Sequence, residues 1–110
     1  MEPISGDKLR GHLEMLILAT LERGEAHGLE ILRRLEVGGC GLLKLKEGSL
    51  YPALHRMMQS GWLKAEWGAS ENNRRARFYS ITAAGRRQLA EEEVSWARLT
   101  AAVGRVIVPS

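Results

Sequence analysis

The side chains in this sequence that could do chemistry are mostly basic, and they concentrate in its middle. Residues 44–88 contain nine Lys and Arg residues against three Glu residues. Such an asymmetry is typical of chains that bind a polyanion. The densest cluster of basic residues is Arg74-Arg75-Ala76-Arg77. Because guanidinium groups pair with phosphate in a bidentate manner, this cluster is a candidate for binding a nucleic-acid backbone.

The residue types that serve catalysis or metal binding form no recognisable pattern. His12, His27 and His55 lack the short spacing of zinc motifs, and the single cysteine, Cys40, cannot build a metal site alone. Ser49 does not lie in a G-x-S-x-G elbow, and the sequence has no glycine-rich phosphate loop. We therefore expect no enzymatic activity, no metal and no cofactor. A redox role for Cys40 would need a thiol on a second molecule.

Length and composition indicate one globular domain in the cytoplasm. The chain has 110 residues, of which 45% are hydrophobic and 26% are charged, which is an ordinary globular composition. No apolar run approaches the roughly 18 residues that a membrane span needs. The N-terminus lacks a basic stretch followed by an apolar one, so we expect no secretory signal and no membrane partner. The single cysteine also fits a reducing compartment.

Two helices are expected before the basic segment. The first is predicted from about Leu9 to Arg23, with Asp7 as its N-cap and Gly24 just after its end. The second is predicted to begin near His27-Gly28. It should end at Gly38-Gly39-Cys40-Gly41, because three glycines in four residues do not sustain a helix.

A third helix is expected at the start of the basic segment. Ser49 is its predicted N-cap, because Pro52 is tolerated in the first turn of a helix and Gly61 ends it. Just before it, Leu42-Leu43-Lys44-Leu45 predicts one short strand. The apolar face of the third helix is expected to consist of Leu50, Leu54, Met57 and Met58.

A β-hairpin and a long final helix complete the pattern. Alternating residues predict strands over Trp62–Trp67 and Arg77–Thr82, joined by a polar loop over 68–76. Thr82 is the predicted cap of a helix over Ala83–Ile107, which would be about 37 Å long. A helix of that length extends past the core of so small a domain, so we expect a second copy of the chain to bury its apolar stripe. The stripe consists of Trp96, Leu99, Val103 and Val106.

The order of these elements predicts a mostly α fold with a small β-hairpin, which is the winged helix-turn-helix arrangement. We assign residues 1–82 to this DNA-binding unit and residues 83–110 to a dimerisation helix packed on the same domain. In this arrangement the third helix enters the DNA major groove, and the hairpin contacts the backbone or the minor groove. The residues expected to contact DNA are Lys46, Ser49, Tyr51, Pro52, His55, Arg56, Lys64, Asn73, Arg74, Arg75 and Arg77.

Several of these residues also have a purely structural interpretation. Ser49 could act only as a cap, and Tyr51 could belong to a solvated helix face. The hairpin arginines could serve solubility alone, and Arg77 could stack on Trp67 or Tyr79. The corresponding alternative function is a winged-helix module that binds protein without binding DNA directly.

The sequence resembles the PadR family of bacterial transcriptional regulators from about residue 9 to residue 107. The resemblance lies in the segment Leu9–Leu21, in His27-Gly28, in Gly48-Ser49-Leu50-Tyr51-Pro52-Ala53-Leu54-His55-Arg56, in Gly61-Trp62-Leu63 and in Arg77-Phe78-Tyr79-Ser80-Ile81-Thr82-Ala83-Ala84-Gly85. The single helix after the hairpin is similar to that of the compact members. Leu29 and Phe78 stand where the family often has tyrosine.

The resemblance implies a dimeric repressor that binds double-stranded DNA at an inverted repeat. Its last helix, together with its first, would make the dimer. The interface residues would then be Leu9, Leu13, Leu16, Trp96, Leu99, Val103 and Val106. In some compact members this interface also binds flat apolar effectors. Trp96 is accordingly either an anchor of the dimer alone or also a contact for a small apolar or aromatic effector.

Overall fold

Five helices and three strands make up the part of the chain that the structure, a computed structural model, describes: residues 2, 4, 6–9 and 11–108. The helices are Gly6–Leu9 (α1), Leu13–Glu22 (α2), Gly28–Gly38 (α3), Glu47–Gln59 (α4) and Ala83–Ile107 (α5). The strands are Ala26–His27 (β1), Leu63–Ala69 (β2) and Arg75–Ile81 (β3). The strands form one antiparallel sheet in the order β1-β3-β2. The predicted winged-helix arrangement is confirmed, with β1 as an additional strand.

The core lies between the helices and one face of the sheet. Within the described ranges, no polar or charged side chain is buried, so the core is held together by apolar burial. Each large side chain contributes about 1.5–3 kcal/mol when it is fully buried. The apolar face predicted for α4 is confirmed, although Met58 is only half-buried. The largest fully buried side chains are Ile17, Leu18, Leu21, Ile31, Leu50, Leu54, Met57 and Leu89.

The predicted first helix is in fact two helices separated by a turn at Gly11-His12. Glycine is a poor helix former, which favours a break at this point. Asp7 lies inside α1, so the prediction that it caps the main helix is wrong. His12 occupies the N-cap position of α2 instead. Gly24 follows the end of α2 with a φ of +139°, as expected for the glycine after a helix.

Helix α3 begins as predicted and is bound to the end of α2. The Nδ1 atom of His27 accepts a hydrogen bond from the backbone N–H of Glu30 at 3.2 Å and so caps the helix. The carboxylate of Glu30 accepts hydrogen bonds from Arg33, which are the largest cause lowering the pKa of Glu30. Arg34 donates to the carbonyl oxygen of Gly24 at 2.9 Å. This contact ties α3 to the segment that follows α2.

The strand predicted over Leu42-Leu43-Lys44-Leu45 is wrong, because this segment has no regular secondary structure. Leu45 packs against the core, which explains the apolar character of the segment. The additional strand lies earlier in the chain, where Ala26 and His27 pair with Tyr79 and Phe78. A strand of two residues is too short to produce an alternating pattern, so the sequence does not reveal it.

Helix α5 begins in close contact with the turn before β2. The Thr82 hydroxyl accepts a hydrogen bond from the Gly85 N–H at 3.0 Å and donates one to the Gly61 carbonyl oxygen at 2.6 Å, which confirms Thr82 as the cap. A Cβ atom at Gly85 would collide with the carbonyl oxygen of Trp62 and would lie 2.8 Å from Cγ1 of Ile81. The start of the long helix is therefore packed too tightly for any side chain at residue 85.

We expect Gly85→Ala to lower the free energy of unfolding by about 1–3 kcal/mol, because the backbone at Trp62 must move to admit the methyl group. Chemical denaturation followed by far-UV circular dichroism measures the change. Gly104→Ala is the matched control, since a Cβ atom there would meet nothing within 4 Å. That exchange should stabilise the helix by about 0.5–1 kcal/mol. Equal stabilities of the two variants would contradict the tight packing at Gly85.

Candidate nucleic-acid interface

Helix α4 begins earlier than its predicted cap. Lys46 occupies the N-cap position, and Ser49 is the third residue of the helix, with an exposed side chain. Pro52 therefore lies in the second turn, where its missing N–H leaves the carbonyl oxygen of Gly48 without its usual helical partner. The prediction that Ser49 caps the helix is therefore wrong. It assumed that Pro52 must lie in the first turn, whereas the helix accommodates Pro52 in its second turn with the loss of this one hydrogen bond.

The exposed face of α4 carries four of the eleven residues predicted to contact DNA. Residues three and four apart share a helix face, and the face opposite the core is free. The buried residues of α4 are Leu50, Ala53, Leu54 and Met57. The exposed residues on the opposite side are Gly48, Ser49, Pro52, His55, Arg56 and Gln59. Gln59 was not among the predicted contacts, although its spacing from Pro52, Arg56 and His55 could have indicated it.

Tyr51 lies beside this exposed face and packs against the start of α3. A Cβ atom at Gly28 would collide with the Tyr51 hydroxyl, so a side chain at residue 28 would displace the ring. Burial, followed by the nearby carboxylate of Glu47, raises the pKa of Tyr51. The phenol therefore stays protonated at neutral pH and remains a hydrogen-bond donor. The side chain is still 43% exposed.

A series of contacts connects Tyr51 with the hairpin through His27-Gly28. The His27 ring packs edge-on against Phe78, with 5.5 Å between the ring centroids. Phe78 in turn lies over Gly68, where an added Cβ atom would be 3.0 Å from the ring. Phe78 is thus accommodated by ordinary packing, and Leu29 is exposed. Neither departure from the family pattern disturbs the path between α4 and the hairpin.

The hairpin, formed by β2 and β3, is longer than predicted, and its loop is shorter. The predicted loop over 68–76 shrinks to the turn Ser70–Arg74, because the strands continue to Ala69 and resume at Arg75. The Ser70 N–H donates to the Arg74 carbonyl oxygen at 2.8 Å, and Asn73 has a φ of +56°. Asparagine tolerates this conformation better than most residues. The tip extends beyond the core, so its strands lack the apolar alternation that would predict them.

The strand register separates the basic residues of the hairpin onto two faces. Arg75 and Arg77 share one face with Trp67, which is paired with Arg77. Nearer the base, the same face carries the buried Tyr79. Lys64 lies on the opposite face, so the structure does not bring it together with the arginines. The contact with Trp67 is made by Arg75, whose guanidinium carbon is 4.4 Å from the ring centroid, rather than by Arg77.

Arg56 on α4 has an acidic neighbour on α2. Its Nε atom lies 3.7 Å from Oε1 of Glu14, and both side chains are partly exposed. An exposed pair of this kind is worth at most about 1 kcal/mol. The carboxylate nevertheless offsets part of the positive charge on the face that is predicted to contact DNA.

We expect Glu14→Gln to raise the affinity for DNA by up to about fivefold, because the loss of the carboxylate frees Arg56 for the DNA contact predicted for it. Fluorescence anisotropy of a labelled duplex at fixed salt measures the change. Glu22→Gln removes the same charge from the other end of α2 and serves as the control. An equal gain in both variants would show that only net charge matters.

The C-terminal part of helix α5 extends past the core of its own chain, so its apolar side chains are largely exposed. Gly85 and Leu89 are its buried residues. Beyond Leu89 this face carries Glu92 and Glu93 and then the α5 stripe, whose members follow one another at spacings of three and four and are 42–80% exposed. The α5 stripe is Trp96, Leu99, Val103 and Val106. No helix in the described ranges is both long and apolar enough to cross a membrane.

The other residues predicted for the dimer interface differ in their burial. Leu9 and Leu13 are only 5% and 8% exposed within the single chain, so they are already covered. Leu16 is half-buried. It lines a groove of about 490 Å³ between α2 and α3. None of the residues predicted to contact DNA lines this groove.

Trp96 lies beside a smaller cavity of about 240 Å³. His12, Met15, Glu92 and Leu99 also line it. The rings of His12 and Trp96 meet edge-on, with 4.8 Å between their centroids. The break between α1 and α2 thus brings a polar ring against the indole.

Comparison with known proteins shows what this arrangement is similar to. Residues 17–91, which include α4 and the hairpin, match the transcriptional regulator PadR-like family. A transcriptional regulator from Clostridium thermocellum is 28% identical, with a TM-score of 0.85 over 96% of this chain and 99% of its own. A PadR family transcriptional regulator from Eggerthella lenta is 30% identical, with a TM-score of 0.81 over 94% and 88%. A PadR-like transcriptional regulator from Bacillus cereus is 30% identical, with a TM-score of 0.81 over 96% and 100%.

Proposed function

The chain belongs to the transcriptional regulator PadR-like family, and from this premise we propose that it is a homodimeric repressor that reads an inverted-repeat operator. As a member of this family it is a DNA-binding regulator of transcription and not an enzyme. The proposal assigns α4 and the hairpin to DNA and the α5 stripe to a second copy of the chain. It assigns the cavity beside Trp96 to an effector.

The observation that carries the DNA-binding assignment is the exposed face of α4. This face is not used by the core, and all eleven residues predicted to contact DNA are exposed. His55 and Arg56 have side chains suited to base edges in the major groove. Lys46 and Ser49 at the helix N-terminus, and Arg75 on the hairpin, are suited to phosphate. The link between Tyr51 and the hairpin would hold both elements in one orientation on the duplex.

The α5 stripe supports the homodimer. The face that packs on the chain's own core at Leu89 is acidic at Glu92 and Glu93. It then carries the four apolar residues of the α5 stripe, which are 42–80% exposed in the single chain. A second α5 is the simplest apolar surface that can bury it, since one patch can serve both copies about a two-fold axis. The two copies of α4, which are the proposed recognition helices, would then read half-sites about 34–36 Å apart. Repression follows where the operator overlaps a promoter, because the bound dimer occupies the DNA that the polymerase needs.

The indole of Trp96, which is 42% exposed beside the cavity that it lines, supports regulation by a small apolar or aromatic effector. Two indoles near a two-fold axis would offer stacking surfaces to a flat ligand. Helix α2 provides a route to DNA, because His12 and Met15 line the cavity while Glu14 lies beside Arg56. A ligand that moves the start of α2 would therefore shift the position of the recognition helix α4. Quenching of tryptophan fluorescence by an aromatic compound should be lost in Trp96→Ala, and unchanged quenching would remove Trp96 from this role.

Selection of bound duplexes from a random pool tests the proposed function. We expect the selected sequences to share a motif with two-fold symmetry. The affinity for that motif should fall linearly with the logarithm of the salt concentration, because neutralised phosphates release counterions. A motif without symmetry would contradict reading by a dimer. Failure to retain any duplex at low salt would contradict direct DNA binding and favour the protein-binding alternative.

A further inference from the structure

We propose that Trp67 is a positioning residue of the DNA interface: its indole holds the Arg75 guanidinium ready for phosphate without neutralising it. The guanidinium carbon lies 4.4 Å from the centroid of the ring, within the range of a cation–π contact. This inference rests on the proposed function of the hairpin. It assigns a role to an aromatic residue that neither the core nor the predicted DNA contacts include.

Core packing does not explain an indole at this position. On the same face of β2, Leu63 is buried and Ala65 is half-buried, whereas Trp67 is 60% exposed. An indole that is mostly exposed adds little to the core, and tryptophan is enriched at interfaces, where one end of its ring system can be apolar and the other polar. Arg77 lies directly across the strand pair from Trp67, and Arg75 lies on the diagonal. The largest apolar side chain near the tip is therefore a neighbour of two arginines, and it contacts the guanidinium of Arg75.

The chemistry of its partner distinguishes Arg75 from other restrained arginines. Arg33 is paired with the carboxylate of Glu30, and Arg56 lies beside Glu14. A carboxylate offsets the positive charge of the arginine that it holds. An indole has no net charge, so it restrains Arg75 through its ring quadrupole and leaves the positive charge intact. A guanidinium that contacts a ring through its face keeps its N–H edge available to a phosphate.

Restraint of this kind favours DNA binding because it lowers the entropy cost of the contact. An arginine that is already positioned loses less side-chain freedom when it meets a phosphate. The hairpin tip is ordered as well, since Ser70 and Arg74 are joined by a backbone hydrogen bond of 2.8 Å. From the usual strength of an exposed cation–π pair, we expect the restraint to improve DNA affinity about two- to fivefold.

A double-mutant cycle with Trp67→Leu and Arg75→Ala tests the inference on sheared calf-thymus DNA at several salt concentrations. We expect Trp67→Leu to weaken binding about two- to fivefold with an unchanged salt slope, since no charge is lost. Arg75→Ala should reduce the slope by about 0.9, the value for one phosphate contact. In the Arg75→Ala background, Trp67→Leu should change the affinity by less than about twofold, because the indole then has no cation to hold.

Two further measurements separate this role from a general effect on folding. Trp67→Phe keeps an aromatic ring and should retain more affinity than Trp67→Leu, while the unfolding midpoint of both variants should stay close to that of the wild type. An equal loss from Trp67→Leu in both backgrounds, or no loss in the wild-type background, would overturn the positioning role alone. Absence of DNA binding by the wild-type protein would overturn the proposed function, and this inference with it.

Discussion

Replacing Arg74, Arg75 and Arg77 together by alanine is expected to weaken DNA binding about a hundredfold at low ionic strength. The three residues lie at the turn and on β3 of the hairpin, and all are exposed. If each neutralises one phosphate, the variant should also lose about 2.7 from the slope of affinity against salt on logarithmic axes. Anisotropy titrations of a labelled duplex at several salt concentrations measure both quantities.

A control for this triple variant must remove the same charge from another surface. Arg87, Arg98 and Arg105 lie along one face of α5 and are exposed. Replacing these three by alanine changes the net charge equally and should leave the salt slope near that of the wild type. A similar loss of affinity in both triple variants would show that overall charge, and not the hairpin, accounts for binding.

The second large effect is expected in the dimer. Leu99→Glu combined with Val103→Glu should convert the protein to monomers at micromolar concentration, as measured by sedimentation equilibrium. Both residues belong to the α5 stripe and are roughly half exposed in the single chain. In the proposed dimer they would be buried, and an unpaired carboxylate in a buried interface costs several kcal/mol. Two buried carboxylates in each copy should therefore prevent association at this concentration.

The single chain should remain folded in this variant, because the core forms within one copy and reaches only to Leu89 on α5. Arg98→Glu, on the charged face of the same helix, is the matched control and should stay dimeric. DNA binding by the monomeric variant should weaken sharply, since only one recognition helix can engage at a time. A double variant that sediments as a dimer would exclude the α5 stripe as the interface.

Local patterns were sufficient to predict most helices of this protein. Gly24 and Gly61 follow the ends of α2 and α4 with positive φ values, and Thr82 caps α5, as expected from residue type alone. These features depend on the backbone preference or hydrogen bonding of one or a few neighbouring residues. The start of α4 at Glu47 was missed because the first turn contains no side-chain cap, so no single residue marks it.

The candidate interface was predicted only in outline. The basic residues and their exposure follow from composition and helical spacing. Their grouping does not: Lys64 is separated from Arg75 and Arg77 by the strand register, and Arg75 rather than Arg77 meets Trp67. A strand register depends on which residues of two distant segments form hydrogen bonds. The polar composition of the hairpin tip carries too little pattern to specify it.

The sequence by itself determined the order of the helices, the apolar face of α4, the basic segment in the middle of the chain and the length of α5. Each of these features depends only on the types of residues that are close together in the sequence. The tertiary structure alone decided that β1 pairs with β3 and that Tyr51 packs on Gly28. It also decided that Leu9 and Leu13 are covered within one chain while the end of α5 is not. These outcomes depend on contacts between segments far apart in the chain, whose energies arise only when the whole core has assembled.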